Sequence, residues 1–160
     1  KEVDCIVGTT TNGTLLNRHL IEKLVAEGLD VIGFSLAGLD EKNDTIRKGM
    51  QIKTVLKCME EIHRAKQRYR SKNPAIHIAY ALLRSGLDAL EKLPEFLSHT
   101  GVDQTVVSSL SLVVSPAVES ESILVIGKKG YSELKERFIQ IRDESAKNGA
   151  EVHFHMVSPV

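Results

Sequence analysis

The segment that most constrains this chain spans residues 30–49 and reads DVIGFSLAGLDEKNDTIRKG. Its apolar part, residues 31–36, is short and rich in Val, Ile and Phe, which is typical of a strand buried on both faces of a parallel sheet. Ser35 lies near the end of this run, and a loop carrying Gly38 and Arg47 follows it. Ligands of parallel α/β folds bind beyond the carboxyl ends of the strands, so this loop is predicted to form one wall of a pocket.

Similar apolar runs alternate with helical patterns along the chain. Strands are predicted at 3–7, 31–36, 75–83 and 104–110, and the clearest helix is at 51–69. Asn43 or Asp44 is expected to cap a short turn that runs through Arg47. The tail after Pro116 predicts a helix at 132–147 and an edge strand at 151–157, whereas 123–126 suits a fifth strand or a buried segment. This alternation indicates a parallel sheet, as half of an eight-fold barrel or as a small doubly wound sheet.

Length and composition limit the classes of protein to consider. A chain of 160 residues suits a single domain, 1–160, with its own hydrophobic core. Its 21 basic residues equal its 21 acidic residues, so no nucleic-acid partner is expected. No apolar stretch approaches the length of a membrane span, so no membrane partner is expected either. Cys5 and Cys58 lie far apart, which favours free thiols and a reducing, cytoplasmic location.

Polar residues at the predicted strand ends are candidate ligand contacts. They are Thr10, Thr11, Asn12, Ser35, Arg84, Ser85, Ser108 and Ser109. Hydroxyl, amide and guanidinium groups suit ribose hydroxyls or a carboxylate, although turn capping explains Ser35 and Asn12 about equally well. No lysine, carboxylate pair, phosphate-binding glycine motif or nucleophile elbow is present there, so no catalytic residue is predicted. His153 and His155 share a strand face, but without a third ligand a solvent-facing pair is favoured over a metal site.

Four segments resemble, in their order and spacing, the radical S-adenosylmethionine superfamily. They are T-N-G at 11–13, F-S-L-x-G-x-D-E-x-N-D-x-I-R-K-G at 34–49, V-L-x-x-M-E at 55–60 and A-Y-A-L-L-R-S at 79–85. The resemblance is greatest to the branch with the molybdenum-cofactor synthesis enzyme, activating enzymes and sulfatase-maturing enzymes. It covers about residues 3–116 and leaves the tail uncovered.

The resemblance implies parallel βα units from a (β/α)6-type partial TIM barrel. The family's CxxxCxxC loop and G-G-E segment are absent from this sequence, so the chain resembles the last four strands of the barrel without its cluster half. S-adenosylmethionine and a [4Fe–4S] cluster are implied for the parent protein, with neither held firmly by this chain alone. The implied cofactor contacts are Thr11, Asn12 and Gly13 near the nucleoside, Ser35 at the ribose or amino-acid part, Arg47 at the carboxylate, and Ser109.

These implications lead to two expectations. The first is that the chain alone is catalytically inert, because cleavage of the sulfonium requires an electron from a cluster, while the parent would be an activating enzyme or an Fe–S oxidoreductase. The second is that an exposed strand edge at 3–7 promotes homo-oligomers. A complete, non-catalytic α/β module of flavodoxin-like type that binds a small ligand or protein is the alternative, and another barrel enzyme is a third. The sequence leaves the substrate unspecified.

Overall fold

A computed structural model describes residues 5–110 and 116–157. Its strands are β1 Gly8–Thr11, β2 Val31–Leu36, β3 Ala75–Leu82, β4 Gln104–Ser109 and β5 Glu151–His155. Its helices are α1 Arg18–Ala26, α2 Glu41–Ile46, α3 Ile52–Tyr69, α4 Leu93–Thr100, α5 Pro116–Ser120 and α6 Gly127–Lys147, with 3₁₀ turns at Arg84–Lys92 and Ile123–Ile126. Within these residues, no helix is both long and apolar enough to cross a membrane.

All five strands are parallel and lie in the order β1-β2-β3-β4-β5. In a flavodoxin-like sheet the first strand lies inside and the order is 2-1-3-4-5, with a reversal at the ligand site. Here each strand instead pairs with the next strand along the chain, as in a β/α barrel. The doubly wound, flavodoxin-like topology is therefore wrong for this sheet.

The first strand lies later in the chain than residues 3–7. Residues 1–4 are outside the described part, and residues 5–7 are not in a strand. The Val7 carbonyl accepts hydrogen bonds from the backbone N–H groups of Asp30 and Val31, and the register of β1 with β2 begins at Gly8 opposite Val31. The prediction followed the apolar run, but the strand that pairs consists of Gly8 and three threonines, whose β-branched side chains suit an edge strand.

The tail belongs to the same sheet. β5 pairs with β4 and lies at the sheet edge, with alternating exposed and covered residues, which confirms the predicted edge strand. Residues 123–126 form a 3₁₀ turn rather than a strand, and α6 begins at Gly127, five residues before the predicted start. Ile123, Phe138 and Val152 join the hydrophobic core that α3 and α4 also cover.

The two faces of the sheet differ in composition. The face beneath the helices carries large apolar residues such as Phe34, Ile78 and Val107, which pack in the core. The opposite face carries smaller or polar residues at the alternate positions, including Ser35, Ala79 and His153. β2 is therefore completely buried only on its helix side, and the other face forms the open interior of the partial barrel.

Candidate functional site

A cleft of about 410 Å³ lies where the first four strands end. Its lining residues come from β3 and from the segments that follow β1, β2 and β4. These strand ends therefore share one concavity, as predicted. The lining residues are Asn12, Ala37, Ile46, Arg47, Lys48, Met50, Ala81, Leu83 and Leu110. Two of the six predicted cofactor contacts, Asn12 and Arg47, are therefore brought together although they are 35 positions apart in the sequence.

The loop after β2 is held by a buried asparagine. Asn43 has no exposed surface, and its Oδ1 accepts a hydrogen bond from the Ala37 backbone N–H at 3.0 Å. Its Nδ2 donates to Asp44 Oδ1 at 3.3 Å, and the same Asp44 oxygen accepts from the Ile52 N–H, at the start of α3, at 2.7 Å. Asn43 and Asp44 thus join the end of β2 to the beginning of α3.

Asn43 or Asp44 is predicted to cap a turn, but the N-cap of α2 is Asp40, whose Oδ1 accepts from the Lys42 N–H at 2.9 Å. Gly38 is required beside Asn43, because an added Cβ would lie 2.7 Å from the Asn43 backbone nitrogen. The loop therefore holds Arg47, the C-cap residue of α2, at the wall of the cleft. Much of the 34–49 motif consequently has a structural role.

The cleft is positively charged. Arg47 and Lys48 have no ion-pair partner within residues 5–110 and 116–157. The nearby carboxylates have other contacts, since Asp40 and Asp44 accept backbone hydrogen bonds and Glu41 forms an ion pair with Lys53 at 3.4 Å. Two free cations and an amide suit a carboxylate or another anionic group.

In the turn after β1, Asn12 both stabilises the turn and lines the cleft. Asn12 Oδ1 accepts from the backbone N–H and the hydroxyl of Thr14 at 3.1 and 2.8 Å, so the oxygen serves the turn. The Asn12 amide nitrogen has no partner in the described part of the chain and is the donor available to a ligand. Thr11 Oγ1 accepts from the N–H of Gly13, whose φ of +79° favours glycine.

Ser35 and Ser109 lie on opposite faces of the sheet. Ser35 is half-buried on the open face, in the same row as Ala79. Ser109 is buried on the helix side, where its Oγ accepts from the Val157 N–H at 2.9 Å and so holds the tail. Ser108 instead shares the open face with Ala81, a residue of the cleft. Strict counting of alternate positions along β4 would have distinguished the two serines.

Arg84 and Ser85 bind the segment after α5 rather than line the cleft. Glu121 accepts both backbone N–H groups, from Arg84 on its carbonyl oxygen at 2.9 Å and from Ser85 on Oε2 at 2.9 Å. The hydrogen bonds from Ser85, and more weakly the charge of Arg84, hold the pKa of the Glu121 carboxyl below its usual value. This contact fastens residues 116–122 close to the end of β3.

Replacing Glu121 by glutamine is expected to lower the free energy of unfolding at pH 7 by less than about 1 kcal/mol, since the carboxylate is partly exposed. Folding lowers the pKa of the Glu121 carboxyl below its ordinary value of 4.5, so the ionised form of Glu121 stabilises the fold. That contribution is complete above the unfolded pKa and is lost as the pH falls through the folded pKa. Urea unfolding at pH 7 and at about pH 3 should therefore give a difference between the proteins only at pH 7.

Glu119→Gln is the matched control for this measurement, because no side-chain contact is found for Glu119 among the described residues. An equal effect of Glu121→Gln at both pH values would show that the charge of Glu121 is not what stabilises the contact.

The chain has two cysteines, Cys5 and Cys58, whereas a [4Fe–4S] cluster is held by three or four thiolates. Cys58 is buried on α3, where its thiol donates to the Gly13 carbonyl at 3.7 Å and burial raises its pKa, which disfavours the thiolate. Cys5 is exposed, and the sequence holds no third cysteine. His153 Nε2 lies 3.4 Å from a Glu151 oxygen, and the described residues contain no group of three metal-ligating side chains.

No protein-family profile matches the chain. A curated protein from Pyrococcus furiosus, the tungsten-containing aldehyde ferredoxin oxidoreductase cofactor-modifying protein, is 28% identical over 112 residues. That match covers 65% of this chain and 30% of the curated protein. The chain thus spans about a third of the length of this relative.

Solved structures match over nearly the whole chain. Streptococcus suis SuiB bound to S-adenosylmethionine has a TM-score of 0.69 and 17% identity, covering 98% of this chain and 34% of SuiB. The protein anSMEcpe with bound S-adenosylmethionine has a TM-score of 0.64 and 15% identity, covering 92% of this chain and 39% of anSMEcpe. A radical S-adenosylmethionine methyltransferase from Sphaerobacter thermophilus has a TM-score of 0.56 and 15% identity, with coverages of 93% and 40%.

These matches include the tail, which the sequence motifs left uncovered. They confirm the predicted α/β fold class and the likeness that the motifs indicated. The chain therefore has the fold of part of the TIM-like barrel found in radical S-adenosylmethionine enzymes.

Proposed function

We propose that this chain forms the S-adenosylmethionine-binding side of a radical S-adenosylmethionine enzyme core. The observation that carries the proposal is the cleft at the strand ends, in which Asn12 and Arg47 meet. Its position matches the general location of ligand sites in parallel α/β folds. Structures with the same fold, SuiB and anSMEcpe, have S-adenosylmethionine bound, which supports the assignment of the ligand.

The donor set of the cleft fits the two ends of such a ligand. The Arg47 guanidinium would bind the carboxylate, because it is held at the end of α2 without an ion pair among the described residues. The Asn12 amide would donate to the nucleoside. The side chains of Ala37 and Ala81 at the floor of the cleft are small, so they leave room for a ring or ribose to approach the sheet.

The remaining predicted contacts act around this cleft. Thr11 and Gly13 would shape the turn that presents Asn12, and Ser35 would meet the ligand from the open face of β2. Ser109 would support the site indirectly through its contact with the tail, and Ser108 is the better candidate for direct contact.

Bound S-adenosylmethionine supplies a sulfonium whose reductive cleavage requires an electron from a [4Fe–4S] cluster. Two cysteines, one of them buried as a thiol, cannot supply three thiolate ligands. We therefore propose that this polypeptide binds S-adenosylmethionine only weakly and is inert alone, and that the parent enzyme performs the radical reaction. Anaerobic reconstitution that loaded four irons and four sulfides per chain would contradict this.

The exposed edge of the sheet supports a further proposal, that the chain self-associates. Within residues 5–110 and 116–157, β1 pairs only with β2, and Ile6 and Leu15 on either side of β1 are highly exposed. A strictly monomeric species at high concentration in light scattering would contradict this proposal.

Arg47→Ala is expected to weaken the binding of S-adenosylmethionine at least about tenfold, because a charged hydrogen bond to the carboxylate is lost. Isothermal titration calorimetry of the purified 160-residue chain measures this directly. Arg142→Ala is the control, because Arg142 lies on α6 and pairs only with the adjacent Asp143 among the described residues. Equal affinities of wild type and Arg47→Ala, or no binding by wild type at millimolar ligand, would refute the assignment.

A further inference from the structure

The cleft has a charge that does not match the whole of its proposed ligand. Arg47 and Lys48 contribute two positive charges to the lining, and none of the lining residues is acidic. S-adenosylmethionine carries a carboxylate, an ammonium group and a sulfonium, and its net charge is therefore positive. S-adenosylhomocysteine has the same nucleoside and amino-acid ends, but its sulfur is neutral and it has no net charge.

Building on the proposed function, we infer that this cleft recognises the carboxylate and disfavours the sulfonium, so that the chain binds S-adenosylhomocysteine more tightly than S-adenosylmethionine. Lys48 is the specificity-determining residue in this inference. It follows Arg47 directly and is exposed, with no ion-pair partner in the described ranges. Its ammonium group therefore acts on the ligand mainly through its charge.

The carboxylates of the neighbouring loop do not line the cleft. Asp44 accepts the Ile52 N–H and lines an adjoining cleft with Thr14 and Gly49, and Met50 is shared by the two clefts. Glu41 pairs with Lys53, and Asp40 caps α2 and lines a groove on the helix side of the sheet. Arg47 and Lys48 are thus the only charged side chains among the described residues that line the cleft, and they act on a bound ligand at the shortest range.

The test compares three ligands by isothermal titration calorimetry with the full chain at low salt. S-adenosylhomocysteine is expected to bind about fivefold more tightly than S-adenosylmethionine, as an interaction between unit charges in a well-hydrated site allows. 5′-Methylthioadenosine, which lacks the carboxylate, is expected to bind most weakly. Raising the salt concentration to about 0.3 M should reduce the ratio of the first two affinities, because the charges are screened.

Lys48→Gln should bring this ratio at least halfway towards one, and the matched control Lys42→Gln should leave it unchanged. Lys42 is exposed on α2, six residues before Lys48, but its side chain does not line the cleft. Both substitutions are at the surface and are expected to leave folding intact.

The outcomes separate this inference from the proposal on which it rests. If S-adenosylmethionine binds as tightly as S-adenosylhomocysteine or more tightly, the charge inference is wrong while the proposed ligand site stands. A ratio that Lys48→Gln does not change would overturn the role of Lys48. If none of the three ligands binds, both the inference and the proposed function are wrong.

Discussion

Gly38→Ala is expected to lower the free energy of unfolding by about 2–3 kcal/mol and to abolish measurable ligand binding. The added Cβ would lie 2.7 Å from the backbone nitrogen, 3.0 Å from the Cα and 3.1 Å from the Cβ of Asn43. The nearest of these atoms belong to the backbone, so the clash cannot be relieved by rotating a side chain. The start of α2 must shift, and Arg47 at its end must shift with it.

Gly86→Ala provides the matched control. Gly86 is also buried, but a Cβ there would meet only the Tyr80 hydroxyl, at an ordinary 3.7 Å, and its φ is not positive. The alanine is therefore expected to cost little or to stabilise the chain slightly, by reducing the entropy of the unfolded state. Urea unfolding followed by circular dichroism measures both variants. Equal stabilities of the two variants would contradict the steric argument at Gly38.

Asn43→Ala is expected to lower the free energy of unfolding by about 3 kcal/mol. The substitution leaves the Ala37 N–H without its acceptor in a buried position, which costs about 1–3 kcal/mol. It also removes the donor to Asp44 and leaves a small cavity beside Gly38. Denaturant unfolding gives the change in stability, and calorimetry gives the accompanying loss of ligand affinity.

Thr45→Ala is the control on the same helix, because Thr45 is exposed and its hydroxyl makes only a long contact, 3.5 Å, with the Glu41 carbonyl. It should change the stability by less than about 0.5 kcal/mol. A loss of stability in Asn43→Ala no greater than that of Thr45→Ala would show that the buried asparagine does not hold the loop.

Both variants test one structural idea. A cation on a short helix can contact a ligand reproducibly only if the helix is fixed relative to the sheet. Gly38, Asn43 and Asp44 fix α2 between β2 and α3 without touching the cleft themselves. In the sequence motif, Gly38, Asn43 and Asp44 have the appearance of ligand contacts. They affect ligand binding only because they hold Arg47 in position.

Several elements were predictable because local patterns specify them. The helix at 51–69 was placed to within one residue, as its apolar positions recur at helical spacing and face the core. β2, β3 and β4 were placed to within one residue, since each is a short apolar run bounded by turn-forming or polar residues. β1 was misplaced because three threonines give a strand signal without an apolar run.

The sequence by itself determined the strand–helix alternation, the parallel class of the sheet and the set of polar residues near its strand ends, because these depend on local propensity and spacing. Tertiary structure alone decided that the strands follow chain order and that β5 completes the sheet. It also decided that Asn12 and Arg47 share a cleft and that Ser109 faces the helices while Ser108 does not. These outcomes depend on strand register and on the paths of loops between elements. Both are determined by packing between residues that are distant in the sequence.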